Sequence, residues 1–203
     1  LCVKIISMDT PLAMASLKPS PLVATGSFMD PYRTAAQFGI AEGMKIADLR
    51  AGNGYFTLAM AKLVGESGSV TAVDILSNPL YTIESKAKIE RLTNIRTQKG
   101  NLEVEGGSGL SSNSQDIVLL KNVLFQSQSK DEIIKEAAKI LKENGKLIII
   151  DWLKGAGGLG PPDNLRTDIG DIQQMVLGIG FRMEKSIEAD KFHYGFIFRK
   201  IVK

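Results

Sequence analysis

The chain has 203 residues, enough for one compact domain with a full core and too few for two ordinary ones. Apolar residues make up 44% and charged residues 23%, close to the globular average, which excludes a largely disordered chain. A net charge of +3 with scattered Lys and Arg gives no basic patch for nucleic acid; one cysteine, Cys2, excludes an internal disulfide and a cysteine-held metal and fits a reducing, cytoplasmic setting.

Residues 1–27 read as an irregular arm and residues 28–203 as a single domain. Asp9, Pro11, Lys18, Pro19 and Pro21 interrupt the apolar opening before it reaches the roughly 18 residues of a membrane span. Leu1 in place of Met leaves Met8 and Met14 as candidate starts. The segment "SFMDPYRTAAQFGI" (27–40) suits a helix over a site, with Phe28 and Tyr32 as apolar cover.

Beyond it, short runs rich in Val and Ile alternate with helical patterns. The strand-like runs are "MKIADL" (44–49), "SVTAVDI" (69–75), "NIRTQ" (94–98), "DIVLLKNVLF" (116–125) and "KLIIIDW" (146–152), apolar on both faces and therefore buried on two sides. A first helix spans about Tyr55 to Val64 and stops at Gly65; a second opens at "NP", with Asn78 as cap and Pro79 in the first turn. A third opens at Ser129 with Glu132 completing a capping box, presents Ile133, Ile134, Ala137, Ile140 and Leu141 on one face, and ends at "ENG". A last helix covers about Asp168 to Leu177. "FRMEKSI" (181–187) and "KFHYGFIFRK" (191–200) then follow so closely that the two strands must be antiparallel. The predicted fold is α/β: a doubly wound, mostly parallel sheet with a C-terminal antiparallel hairpin. The Gly-rich tracts 105–114 and 154–164 read as loops, the second with glycines that suit a moving lid.

In such a sheet, ligands bind beyond the C-terminal strand ends where strand order reverses. The loop there is "DLRAGNGY": Gly52 and Gly54 let the backbone approach a ligand, and the helix that follows offers free N–H groups. Asp74 closes the second strand twenty residues after Gly54, the spacing at which a carboxylate reaches a ribose hydroxyl pair. A nucleoside-type site follows. A dinucleotide fingerprint is poorly matched, because Thr57 stands where the third small residue belongs.

On the residues "DLRAGNG", "VTAVDI", "GNLE" (100–103), "SQDIVLLKNVLFQ", "ILKENGKLIIIDW" and "GIGF", the sequence resembles the class I S-adenosylmethionine-dependent methyltransferases. The likeness is strongest to the small-molecule group that includes ubiquinone and menaquinone methyltransferases, and it covers about residues 28 to 200. It implies a Rossmann-like sheet of seven strands with the last inserted antiparallel. It implies S-adenosylmethionine as cofactor, S-adenosylhomocysteine as product and a small-molecule acceptor. Asp48, Ala51, Gly52 and Asn53 would lie by the methionine end, with Gly54 completing the turn. Asp74 would hold the ribose, Ile75 would pack on adenine, Asn101 and Leu102 would border it, and Lys121 and Asn122 would border the transferred methyl.

Arg50 occupies the family's first glycine. A left-handed backbone there costs a non-glycine residue about 1–2 kcal/mol, and a guanidinium could pair with the cofactor's carboxylate. Methyl transfer needs alignment and, for a weak nucleophile, a base. His193, Gln126 and Asp151 are the candidates. "KNVL" is unlike the signature of enzymes that methylate base amino groups, and Cys2 is misplaced for cytosine C5 or arsenic chemistry. Two readings compete with the methyltransferase: a catalytically silent ligand- or partner-binding protein of the same fold, favoured by Arg50, and a nicotinamide oxidoreductase. Oligomeric state stays open.

Overall fold

The computed structural model describes residues 29–202; the expected arm over 1–27, Cys2 and Phe28 lie outside the described residues. The strands are β1 (Lys45–Leu49), β2 (Ser69–Asp74), β3 (Ile95–Lys99), β4 (Gln115–Lys121), β5 (Leu141–Trp152), β6 (Phe181–Ser186) and β7 (His193–Lys200). They form one seven-stranded sheet in the order β3-β2-β1-β4-β5-β7-β6. Strands β1 to β5 run parallel, while β7 is antiparallel to both its neighbours, β5 and β6. The sheet therefore has the predicted architecture.

Alternation along each strand divides the core between two faces. Val118, Leu120, Leu147, Ile149, Tyr194 and Phe196 point to one side, where α4 (Lys130–Ile140) and α5 (Ile169–Gly178) supply Ile133, Ile134, Ile172 and Val176. Ile46, Ile117, Leu119, Ile148, Ile150 and Ile197 point to the other. There α1 (Pro31–Ala35) and the 3-10 turn after it bring Ala35 and Phe38, and α2 (Tyr55–Val64) brings Phe56, Ala59 and Met60. Helix α3 (Ser77–Ile89) closes a smaller cluster through Leu80 and Ile83 on Ala72. The inner strands are thus apolar on both sides because both sides are covered. Truncating one of these side chains, such as Ile148, would cost about 2–5 kcal/mol.

Four local expectations are corrected. The fourth strand ends at Lys121, because Asn122 takes a positive φ of 56°, and Leu124–Gln126 form a 3-10 turn. Helix α3 starts at Ser77, so Asn78 lies within its first turn and caps nothing. Ser129 is the N-cap of α4 but makes no side-chain cap bond; Ser127 Oγ instead accepts from the Ser129 N–H at 2.9 Å, and Glu132 turns to Lys135. Finally, α4 stops at Ile140 and β5 begins at Leu141, paired with Gln115, with "KENG" bulging before the ladder resumes at Lys146.

Candidate active site

Strands β1 and β4 are neighbours whose chains leave toward opposite sides of the sheet, β1 toward β2 and β4 toward β5. Their C-terminal loops diverge and open a crevice. A cavity of about 640 Å³ lies there. The turn after β1 forms one wall with Arg50, Ala51, Gly52 and Asn53. Arg50 sits at φ 59°, Gly52 at 53° and Gly54 at 77°, so three residues in five are left-handed, two of them glycine. The glycines serve different ends. A Cβ on Gly52 would meet nothing within 4 Å, whereas one on Gly54 would collide with Ile83 of α3. Gly52 faces open space and Gly54 lets α3 pack.

Asp74 secures this turn from the end of β2. Its carboxylate accepts from the Gly52 N–H at 3.0 Å through Oδ2 and from the Leu76 N–H at 3.0 Å through Oδ1. It is buried yet part of the cavity wall, with acceptor capacity left for a ligand. Asp48 lies behind the wall, where Thr57 Oγ1 donates to its Oδ2 at 2.5 Å. Burial pushes the Asp48 carboxyl up to about 6, against the Thr57 bond and the Lys121 charge. Thr57 is fully buried, so the residue that spoils a dinucleotide fingerprint has a structural task.

Lys121, Asn122 and Gln126 form the opposite wall. Burial lowers the Lys121 ammonium below its ordinary value, while Asp48, Asp190 and Asp151 pull it back. The Asn122 N–H donates to Ile150 O at 2.8 Å, and its Oδ1 is buried without a partner. Gln126 Nε2 donates to Asn122 O at 3.1 Å. Met29, Pro31, Tyr55, Phe56, Leu76 and Pro79 complete the lining with apolar surface. None of these six was predicted for the site. Phe56 had only the start of a helix to mark it, and Met29 and Pro31 only the cover expected of 27–40.

The structure departs from expectation at several positions. Ile75 is exposed and off the wall, with Leu76 in the lining instead. Leu102 is buried in the core, and Asn101 turns its Oδ1 to accept from the Glu103 N–H at 3.1 Å. Tyr32 is 45% exposed beneath the Lys62 ammonium, so Met29 and Pro31 provide the cover. Asp151 is occupied: it accepts from the N–H groups of Leu124 (2.9 Å), Phe125 (3.2 Å) and Trp152 (2.8 Å), anchoring the loop after β4. That leaves little of it for proton transfer. His193 stands outside the wall, its ring 4.0 Å from that of Trp152 and its Nδ1 2.8 Å from Asp190 Oδ1.

Among the described residues, no group of three or more His, Cys, Asp or Glu side chains is placed to hold a metal ion. No helix among them is long and apolar enough to cross a membrane.

Residues 40–156 match the family model described as a methyltransferase domain. An arsenite methyltransferase of Aquipseudomonas alcaligenes is 28% identical over 148 residues, which is 68% of this chain and 43% of that protein. The ubiquinone/menaquinone biosynthesis C-methyltransferase UbiE of Haemophilus ducreyi is 29% identical over 117 residues, 57% of this chain and 44% of that protein. The chain thus spans less than half the length of these relatives. Among solved structures, a SAM dependent methyltransferase from Aquifex aeolicus shares the fold with a TM-score of 0.78 at 24% identity, covering 86% of this chain and 91% of that one.

Proposed function

Because this chain belongs to the methyltransferase domain family, we propose that it transfers a methyl group from S-adenosylmethionine to a small-molecule acceptor. The observation that carries this reading is the pairing of Gly52, with open space in front of it, and Asp74, a buried carboxylate on the same cavity wall. The residues suit the cofactor. Asp74 is an acceptor-only group placed for ribose hydroxyl donors, and Leu76, Pro79 and Met29 offer an apolar bed for a purine. Arg50 brings a guanidinium that suits the carboxylate of an amino acid moiety. When bound, the cofactor supplies an activated methyl group on a sulfonium. The chain's own part is alignment and exclusion of water, by the β1 and β4 loops on two sides and by Met29 and Pro31 at a third.

A second reading, a cradle that holds a nucleoside ligand without turnover, draws on Arg50 alone. Its φ of 59° shows that the position does require the left-handed region, where glycine would be unstrained. Calorimetry of S-adenosylhomocysteine on the whole chain and on Arg50→Gly, with NADH as control, separates the readings. Binding by the unmodified chain supports methyl transfer and binding only by Arg50→Gly supports a disabled site. Binding by neither removes the methyltransferase reading.

A further inference from the structure

We propose that Lys121 selects an acceptor that carries a carboxylate group, which its ammonium holds beside the cofactor. This rests on the methyl-transfer reading and deepens it by naming the acceptor class.

The three charged residues of the cavity lining come from three neighbouring strands. The sheet order runs β2, β1, β4, so Asp74 at the end of β2, Arg50 just after β1 and Lys121 at the end of β4 succeed one another across the crevice. Leu49 and Leu120 are partners in the parallel ladder, which brings Arg50 and Lys121, one residue further on, to adjacent chain positions. Neighbouring strands lie about 4.8 Å apart, so the backbones of Asp74 and Lys121 stand about 10 Å apart. The ribose and the carboxylate of one cofactor account for Asp74 and Arg50 and leave Lys121 for a second ligand.

Among the described residues, neither Lys121 nor Arg50 is ion-paired to an acid. Asp48, Asp190 and Asp151 pull on the Lys121 ammonium through space, and each is engaged elsewhere. Thr57 Oγ1 donates to Asp48, the N–H groups of Met29 and Phe192 donate to Asp190, and three N–H groups claim Asp151. Two like charges therefore stand side by side on the wall, and the sulfonium of a bound cofactor adds a third. An anion brought to Lys121 relieves that repulsion, and the half-buried position of the lysine limits screening by salt.

The same three acids limit the charge of that anion. One negative charge meets Lys121, whereas a second, as on a phosphate monoester, would face Asp48, Asp151 and Asp190 across the wall. The surroundings of the ammonium are otherwise apolar. Lys121 follows Ile117 and Leu119 in steps of two, on the sheet face packed by Phe56 and Met29, and both of these line the cavity. A carboxylate on an apolar carbon skeleton suits both the charge and the lining.

Calorimetry on the whole chain saturated with S-adenosylhomocysteine tests this with benzoate, benzamide and phenyl phosphate, which share a ring and differ in head group. Benzoate should bind saturably and at least about tenfold tighter than either of the others, the effect of one charge-assisted hydrogen bond. Lys121→Gln, checked for folding by thermal melt, should bind benzoate and benzamide alike, and Lys121→Arg should restore the preference. Equal affinities of the unmodified chain for benzoate and benzamide, or tighter binding of phenyl phosphate, would overturn the proposal. So would a Lys121→Gln variant that still prefers benzoate, or one that loses S-adenosylhomocysteine instead, since Lys121 would then hold the cofactor's own carboxylate. The methyl-transfer reading would stand in each of these cases. No S-adenosylhomocysteine binding by the unmodified chain would overturn both.

Discussion

Replacing Arg50 by glycine isolates the cost of its backbone. At φ 59° the residue lies in a region that disfavours any side chain by about 1–2 kcal/mol. Glycine removes that cost but loses about 0.5–1 kcal/mol more chain entropy on folding. The difference leaves a net gain of about 0.5–1 kcal/mol, and for a domain of this size that raises Tm by about 1–4 °C. Arg91 supplies the internal control. It is the same residue type at φ 55°, exposed after α3 and away from the cavity, so Arg91→Gly should stabilise by a similar amount. Thermal and urea melts of both variants measure this. A lower Tm in Arg50→Gly, or a gain there with none in Arg91→Gly, would refute the strain argument.

Three other predictions concern buried charges. Asp48, with an ordinary value of 3.8 and a folded value of about 6, binds more protons when folded, so its contribution makes stability fall as pH rises between those values and level off above. Asp48→Asn should remove that fall, seen as urea midpoints that change less between about pH 4 and about pH 7; an unchanged slope would show that Asp48 is not its source. Glu136 is buried and accepts from the N–H groups of Gly106 and Ser108, from Ser108 Oγ and from Lys139. Burial raises its carboxyl, but these donors outweigh burial and hold it below 4.5, so its stabilisation is full above that value and lost as pH falls through the folded one. Glu136→Gln should cost roughly 1–3 kcal/mol at about pH 7 in urea titration. Arg166 donates to the carbonyls of Pro161, Leu153 and Leu159 and is nearly buried. Losing these charged bonds, about 1.5–3 kcal/mol each, should make Arg166→Met at least tenfold more sensitive to thermolysin within 154–165; equal cleavage would show that the segment is held by other contacts.

The inner strands were legible because an inner parallel strand must be apolar on both faces, and "KLIIIDW" or "DIVLLK" satisfy nothing else as simply. The turn after β1 was legible because an apolar strand, two glycines, a helix and an acid closing the next strand occur together. What escaped depended on backbone signs and distant partners. Asn122 turns left-handed and ends β4, although the apolar Val123, Leu124 and Phe125 beyond it read as a continuation of the strand. Asp190, Glu136 and Arg166 looked like ordinary charged residues. Their roles come from groups such as Met29, 161 residues from Asp190, or Ser108, 28 residues from Glu136. Asp151 misled for the complementary reason: an acid at a strand end resembles a base, and three backbone donors claim it.

The place of β7 bears on how the chain is made. It is the last strand in sequence but sits between β5 and β6 in space. During synthesis, therefore, β5 waits with the unpaired edge of Leu147–Ile150 exposed until residues near Lys200 leave the ribosome. At about 5–20 residues per second, the roughly fifty residues from Asp151 onward take several seconds to follow. For that interval the nascent chain carries a sticky apolar edge, which makes this the stage at which a chaperone has most to shield. A truncation that removes β7 would leave the edge open permanently and should send the product to inclusion bodies rather than yield a smaller folded domain.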